Sequence, residues 1–168
     1  MIEPRLLIAE DDLALAALLE EYLGGSGYHT TVVHRGDDAL ALLKKEHFDI
    51  ILSDIVMPGA DGLALLAQNH QDPIRTLVLL MTGYSGIEDA IHAVEQGAYD
   101  FISKPFQLPE IRVRLDNAMR YQSLLRQLQY QSSLPVESKS QQFLPYVDKA
   151  SKPMAIKAYA GNVRAGHV

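Results

Sequence analysis

Polar side chains with the capacity for chemistry directly follow four short apolar segments of this 168-residue chain. In chain order they are Glu10, Asp11 and Asp12 after RLLIA, Asp54 after DIILS, Thr82 after TLVLLM, and Lys104 after YDFIS. Clustered carboxylates repel one another and raise each other's pKa unless a cation lies between them. Oxygen ligands with room for water suit Mg²⁺ or Mn²⁺, so the acids predict a divalent-metal site.

Asp54 is the candidate nucleophile of this group. It stands alone after its segment, whereas Glu10 and Asp11 are adjacent and better placed to hold the metal. The metal, the Lys104 amine and the Thr82 hydroxyl together would bind the three oxygens of a phosphoryl group. Attack by the carboxylate would give an acyl phosphate, a covalent intermediate of known type. The pattern therefore indicates phosphoryl acceptance on Asp54.

Each of these residues also has a purely structural interpretation. Asp11 or Asp12 is suited to cap the following helix, and we expect Asp12 to do so while Asp11 faces the metal site. Asp54 precedes a Met-Pro-Gly turn sequence, and Thr82 or Lys104 alone is ordinary at a turn or a solvated surface. It is the combination at four segment ends that favours the chemical interpretation.

Strand and helix signatures alternate five times along the chain. Strands are predicted over Arg5–Ala9, Thr30–Val33, Asp49–Ser53, Thr76–Met81 and Tyr99–Ser103. Helices are predicted over Leu13–Leu23, Asp37–Glu46, Leu63–Gln68, Ile87–Gln96 and from Leu108 to about Gln131, with Asp61 able to cap the third. This alternation is typical of an α/β doubly wound fold, a parallel sheet covered on both faces. Its strands end at one shared edge, which would bring the site residues together.

The last predicted helix is unusually long and contains no Gly or Pro after Pro109. Within it Ala118, Tyr121, Leu125 and Leu128 recur at three- and four-residue steps, the spacing of a coiled-coil seam. Because fewer than two heptads are present, two interpretations stay open. The helix forms a homodimer through this seam, or its first half packs on the sheet and its second half frays.

Length and charge predict one domain with an appendage. The predicted boundaries are 1–121 for the domain, 122–131 for a helical extension and 132–168 for a polar tail, interrupted by three prolines, that is extended or disordered. The tail carries five basic and two acidic side chains, net +3. The chain as a whole carries −6, which leaves −9 before the tail and argues against nucleic-acid binding by the domain.

Several other kinds of site and location are disfavoured by composition. Cysteine is absent, which excludes disulfides and thiolate metal sites, and the six histidines have no paired ligand spacing. The apolar segments are far shorter than the roughly 20 residues of a membrane span. The first residues also lack the layout of a secretion signal. These features predict a cytoplasmic protein without a membrane partner.

The motifs LLIAEDD, DIILSDIVMPGADGLALL, LLMTGYSG and GAYDFISKPF resemble the receiver domain of bacterial two-component response regulators. The resemblance extends from about Pro4 to Arg120, and it is strongest to receivers that precede enhancer-binding ATPases, chiefly through MTGYSGIEDA and EQGAYDFISKPF. It implies a flavodoxin-like (βα)5 fold, whose 2-1-3-4-5 strand order is taken from such folds and not worked out from the residues.

For the metal and the acceptor, the resemblance implies specific roles. Asp54 would accept a phosphoryl group from a histidine kinase or a phosphotransfer protein. Asp11, Asp54 and the backbone carbonyl of Val56 would bind Mg²⁺ or Mn²⁺ directly, and Glu10 would act through water. Glu10 stands where the family more often has aspartate, and both residues supply an outer carboxylate.

The resemblance also implies a switch next to the acceptor. Thr82 would turn inward to the phosphoryl group, Lys104 would pair with it, and Phe101 would swing inward behind Thr82. A permanently buried strand side chain is the alternative interpretation of Phe101. Pro105 is expected to follow a cis peptide bond, a geometry that X-Pro bonds alone adopt at low cost.

The output of such a switch is not recognisable in the sequence. The ATPase phosphate loop G-x-x-x-x-G-K-[ST] is absent, so the effect of phosphorylation is expected to pass through partner binding or dimerisation. One alternative is an interaction module of the same fold that works without phosphate. A dehalogenase-type hydrolase would need a second aspartate where Val56 stands, and the acids after the first strand would repel a flavin phosphate. We therefore expect a phosphoacceptor, at most slowly self-dephosphorylating, and not an enzyme with turnover.

Overall fold

The computed structural model describes residues 2–69, 72, 74–83 and 87–135, in which strands and helices alternate. The strands are β1 (Arg5–Ala9), β2 (His29–Val33), β3 (Ile50–Asp54), β4 (Leu77–Thr82) and β5 (Asp100–Ser103). The helices are α1 (Leu13–Gly24), α2 (Gly36–Leu43), α3 (Gly62–Asn69), α4 (Ile87–Glu95) and α5 (Leu108–Ser133).

The chain divides into two compact units, residues 1–126 and residues 127–168. The first contains the whole sheet and the packed helices. In the second, the described residues run from 127 to 135 and are helical as far as Ser133. The predicted extended tail concerns mainly residues 136–168, which lie outside the described residues.

The five strands form one parallel sheet in the order β2-β1-β3-β4-β5, which confirms the doubly wound fold. Neighbouring strands end nearly level with one another. Ala9 pairs with Val33 on one side and Ser53 on the other, and Thr82 pairs with Ser103. The residues that end or follow these strands therefore lie along a single edge of the sheet.

The sheet is covered on both faces because successive strand residues point to opposite sides. Leu6 and Ile8 of β1 pack with buried residues of α1 and α5, whereas Leu7 and Ala9 pack with residues of α2, α3 and α4. The central strand β3 is buried along its whole length. The continuous apolar segments seen in the sequence are thus strands with two buried faces.

Most predicted boundaries agree with the structure to within one or two residues, but the end of α2 was wrong. The helix stops at Leu43 and not at Glu46, where the Lys45 amide donates to the Leu42 carbonyl, three residues back, in a tight turn. The helix starts were predicted better. Asp12 caps α1 by accepting from the amides of Ala14 and Leu15, and Asp61 accepts from the Ala64 amide in the first turn of α3.

The burial pattern of helix α5 shows that the predicted coiled-coil seam was wrong at Ala118. Ala118 is fully buried against the sheet, so it cannot belong to an exposed stripe, and Leu125 is half-buried. Tyr121 and Leu128 of the predicted seam are exposed, and the other large apolar residues that α5 exposes are Val113 and Leu124 in the first unit and Tyr130 in the second. Within the residues that the structure describes, no helix is both long and apolar enough to cross a bilayer.

Candidate functional site

Three carboxylates meet at the carboxyl edge of the sheet. Glu10 and Asp11 directly follow β1, and Asp54 is the last residue of the adjacent strand β3. One oxygen from each lies within 4.8 Å of the others, and this is the single such group of acids or histidines among the described residues. Asp11 is exposed while Glu10 is completely buried, so the cluster opens to solvent on the Asp11 side.

Lys104 joins two of these carboxylates from the end of β5. Its Nζ donates to Asp54 Oδ2 at 2.6 Å and to Glu10 Oε2 at 2.8 Å. The side chains of Glu10 and Asp54 are only 1% and 13% exposed, against 25% for Lys104. One cation therefore balances two poorly solvated anions, and Asp11 is left facing outward.

The burial of this cluster changes its titration. Burial raises the pKa of Glu10, the negative charge of Asp54 adds to the rise, and hydrogen bonds from Lys104 and the Asp12 amide oppose it. Burial alone would lower the pKa of Lys104, but the hydrogen bonds to Asp54 and Glu10 outweigh it and leave that pKa raised. Lys104 is thus held in its charged form, and the raised pKa makes Glu10 harder to ionise than an ordinary glutamate.

The backbone around Asp54 is held at several points. The Val56 amide donates to Asp54 Oδ1 at 3.2 Å, which leaves Oδ2 to Lys104. The Gly62 amide donates to the Ile55 carbonyl at 2.8 Å and closes the loop after the strand. A Cβ atom on Gly62 would lie 2.6 Å from the Asp54 carbonyl oxygen, so this close approach needs glycine.

Thr82 and Phe101 lie on β4 and β5, the strands next to the acceptor. Thr82 is buried at the end of β4, and its hydroxyl donates to the Gly83 carbonyl at 2.9 Å. Phe101 is half-buried and packs against the core on the α2, α3 and α4 side, so it is not a fully buried strand residue. The Lys104 amide donates to the Thr82 carbonyl at 2.7 Å, and the Lys104–Pro105 peptide bond is cis.

The structure adds residues that sequence reasoning missed. His34 directly follows β2, and its Nδ1 donates to the Glu10 carbonyl at 3.0 Å. Like the other site residues, His34 follows a predicted strand, and this position is the signal that could have identified it. Gly36 lies against the loop after Asp54, and Gly59 within that loop lies against Asp37. The Met-Pro-Gly turn marks Gly59 in the sequence, but no pattern singles out Gly36, because its importance depends on how closely the start of α2 approaches the loop.

The donor set is suited to a hard divalent cation. Glu10, Asp11 and Asp54 supply carboxylate oxygens within a few ångströms of each other, and the neighbouring Val56 is exposed at the mouth of the cluster. Oxygen-only ligation with access for water is the environment that Mg²⁺ prefers. With such a cation bound, Lys104 would supply a second positive charge beside Asp54 for an anionic group.

Comparison with known proteins identifies the chain's relatives. The sequence pattern described as "Response regulator receiver domain" matches residues 6–116. The DNA-binding transcriptional regulator NtrC of Salmonella typhimurium is 38% identical over 114 residues, which are 68% of this chain and 24% of that protein. The regulatory protein AtoC of Escherichia coli is 33% identical over 126 residues, 75% of this chain and 27% of that protein. The chain thus spans about a quarter of these relatives.

Solved structures give the same picture. NtrX from Brucella abortus superposes with a TM-score of 0.69 at 30% identity, over 76% of this chain and 29% of that one. The receiver domain of the Francisella response regulator 1452 superposes with a TM-score of 0.64 at 30% identity, over 70% and 98%. In both comparisons the part of this chain that is matched is large enough to hold the sheet and the site described above.

Proposed function

This chain belongs to the response regulator receiver family of two-component signalling, and we propose on that premise that Asp54 accepts a phosphoryl group from a histidine kinase or a phosphotransfer protein. The observation that carries the proposal is the Lys104 Nζ to Asp54 Oδ2 contact of 2.6 Å beside two further carboxylates. It combines a nucleophilic oxygen, a fixed cation and a metal-ligand set at one strand end.

The transfer would proceed from the Asp54 carboxylate. One of its oxygens attacks phosphorus, the P–N bond to the donor histidine breaks, and the electron pair of that bond stays on the imidazole. The product is an aspartyl phosphate. Lys104, released from the carboxylate, pairs with a phosphoryl oxygen. Mg²⁺ or Mn²⁺, when bound, would neutralise phosphoryl charge, held by Asp11, Asp54 and the Val56 carbonyl, with Glu10 through water.

We propose that Thr82 and Phe101 pass the change to the surface. The Thr82 hydroxyl would leave the Gly83 carbonyl for a phosphoryl oxygen, and half-buried Phe101 would move into the space behind it. Ile91 and Val94 on the neighbouring helix α4 are exposed apolar residues beside this route. Phosphorylation would shift an existing equilibrium between two arrangements of this surface and so change its affinity for a partner.

Intact-mass measurement after incubation with acetyl phosphate and Mg²⁺ tests the proposal. The wild-type chain should gain one phosphoryl group, and chelation of the metal should prevent the gain. Asp54→Asn should abolish it. Asp61→Asn is the matched control, because Asp61 is an exposed acid in the same loop whose role is to cap α3. An unmodified wild-type chain would favour the alternative, an interaction module that works without phosphate.

We further propose that the chain has no turnover beyond slow self-dephosphorylation. Hydrolysis of an aspartyl phosphate is fast where an acid or base activates water. The position two residues after Asp54 is occupied by Val56, which has no titratable group. Release of many equivalents of phosphate per chain from a small phosphoester would contradict this assignment.

The partners and location we propose follow from the same assignment. A cytoplasmic location suits a reaction whose donors, a phosphohistidine protein or acetyl phosphate, derive from cytoplasmic metabolism. Self-association through α5 would use Tyr121 and Leu124, two of the large apolar residues that this helix exposes in the first unit. The net charge of −9 before residue 132 makes DNA binding by residues 1–131 unfavourable.

A further inference from the structure

The start of α2 touches the loop that follows Asp54. The backbone amide of Gly36, the first residue of α2, donates to the Pro58 carbonyl at 3.0 Å. Gly36 is buried, and a Cβ atom on it would lie 1.6 Å from the Ala60 carbonyl oxygen and 2.4 Å from its carbon. These are backbone atoms, so no side-chain rotation could relieve the overlap. An alanine at position 36 would have to displace the loop or the helix start.

A second contact reinforces the first from the other side. Gly59 has φ +87°, and a Cβ atom on it would lie 2.3 Å from Asp37 Oδ1. The Asp37 carboxylate is itself held by Arg35, whose Nε and terminal nitrogen donate at 3.0 and 3.2 Å. The hydrogen bond from Arg35 lowers the pKa of Asp37 and keeps it ionised. Because both positions are glycine, the start of α2 can pack in close contact with the loop.

The same loop is tied directly to the acceptor. Its first part includes Val56, whose amide donates to Asp54 Oδ1 at 3.2 Å. Its last part ends at Gly62, which lies against the Asp54 carbonyl and donates to the Ile55 carbonyl. Both ends of the loop are fixed at the acceptor, so only a few residues between them can adjust when Ala60 is displaced. We expect such a displacement to change the positions of Asp54 and Val56.

We propose that Gly36 is a positioning residue for the phosphorylation site, acting through the loop to hold Asp54 and the Val56 carbonyl where a divalent cation can bind both. The inference rests on the proposed function, because it takes these two groups as metal ligands. It also assigns α2, which contributes no ligand of its own, a role in setting metal affinity. Loss of a group that hydrogen-bonds to a metal ligand commonly changes metal affinity by about 10- to 100-fold, and displacement of the whole loop that carries Asp54 and Val56 is expected to cost a similar factor.

The test compares two glycine-to-alanine variants by Mg²⁺ calorimetry without a phosphoryl donor. Gly36→Ala should weaken Mg²⁺ binding by about tenfold or more. Gly24→Ala is the matched control, since its Cβ would meet only Thr30 Oγ1 at 3.9 Å and should leave the affinity unchanged. In acetyl phosphate assays, the Gly36→Ala rate should recover as Mg²⁺ is raised. A merely structural defect would reduce the amount of active protein and leave the half-saturating Mg²⁺ concentration unaltered.

The outcomes separate this inference from the proposed function. A folded Gly36→Ala protein with wild-type Mg²⁺ affinity would overturn the inference. If the Gly36→Ala variant does not fold, the Mg²⁺ affinity of an Asp37→Ala variant tests the inference instead, because that change removes an exposed side chain that lies against Gly59. It should weaken Mg²⁺ binding less but in the same direction, and an unchanged affinity would count against the inference. A wild-type chain that binds Mg²⁺ but takes no phosphoryl group would reject the proposed function and leave the calorimetric comparison valid.

Discussion

At the scale of single residues, Lys104 explains how buried carboxylates coexist at one sheet edge. It bonds to both Glu10 and Asp54, while Asp11 remains exposed. An incoming phosphoryl group would compete with the Asp54 carboxylate for the Lys104 ammonium group, which could then exchange one anionic partner for another. The negative charge that remains beside Glu10 is what a divalent cation would offset, so metal binding should stabilise the fold.

The first prediction concerns that stabilisation. Mg²⁺ at ten times its dissociation constant should raise the free energy of unfolding by about 1.4 kcal/mol, because only the folded state assembles the site. Asp11→Asn should remove the effect by deleting an exposed ligand. Asp12→Asn is the control, since asparagine caps a helix as well as aspartate does. Urea unfolding with and without Mg²⁺ measures both, and an Asp11→Asn protein still stabilised by Mg²⁺ would refute the ligand assignment.

The site residues differ in how far sequence alone could identify them. Asp54, Thr82 and Lys104 could be predicted because each ends or follows an apolar strand, and parallel strands end at a common edge. The pairing of Lys104 with Glu10 could not, because it depends on side-chain reach across the sheet. Gly36 was missed for a related reason. The need for glycine there comes from the Ala60 backbone, which is distant in sequence.

At the scale of elements, the layer formed by α1 and α5 is held by a partly buried polar contact as well as by apolar packing. Tyr28, just before β2, donates its hydroxyl to Asp116 of α5 at 2.8 Å. Burial raises the pKa of Tyr28 strongly, and the bond to the Asp116 carboxylate raises it further. The neutral phenol is therefore the form that the folded state requires.

The second prediction follows from the sign of that shift. A folded-state pKa above the ordinary value of 10.0 means that the native protein retains a proton which the unfolded chain releases. The contribution is complete below pH 10 and is lost as the pH rises further, by up to about 1.4 kcal/mol per pH unit. Stability of the wild type should fall more steeply above pH 10 than that of Tyr28→Phe. Parallel slopes in urea unfolding would rule out the shift.

Element boundaries show a similar division between what could and could not be predicted. The cap residues Asp12 and Asp61 act locally and were predicted correctly. The end of α2 depends on a turn at Leu42 that no Gly or Pro marks. The seam in α5 failed at Ala118 because heptad spacing alone does not say which face of the helix the sheet covers.

At the scale of the whole molecule, the chain belongs to the receiver family and spans about a quarter of the regulators it resembles. We propose that residues 1–121 form the receiver and 122–131 a helical extension of it. Helix α5 is bonded to the residue that precedes β3. Gln122 donates to the Asp49 carbonyl at 3.0 Å, and Arg126 donates to the Asp49 carboxylate at 3.1 Å. The part of this helix that belongs to the first unit, as far as Arg126, is thus attached to the sheet.

The third prediction concerns self-association through that helix. Beryllofluoride with Mg²⁺, which mimics a phosphoryl group, should increase the mass measured by light scattering towards that of a dimer. Leu124→Glu should prevent the increase, because Leu124 is 59% exposed and contributes little to the core. Leu18→Glu, at a similarly exposed position on α1, is the control. A wild-type chain that stays monomeric would remove the dimer proposal and leave the acceptor assignment intact.

The most direct test of phosphoryl acceptance on Asp54 identifies the modified residue. An acyl phosphate is reduced by borohydride, which releases the phosphate and converts the aspartate to homoserine. After incubation with acetyl phosphate and Mg²⁺, borohydride treatment and peptide mass spectrometry should locate homoserine at position 54 alone. Homoserine at position 11 or 12, or phosphate retained on a hydroxyl or histidine side chain, would contradict the account.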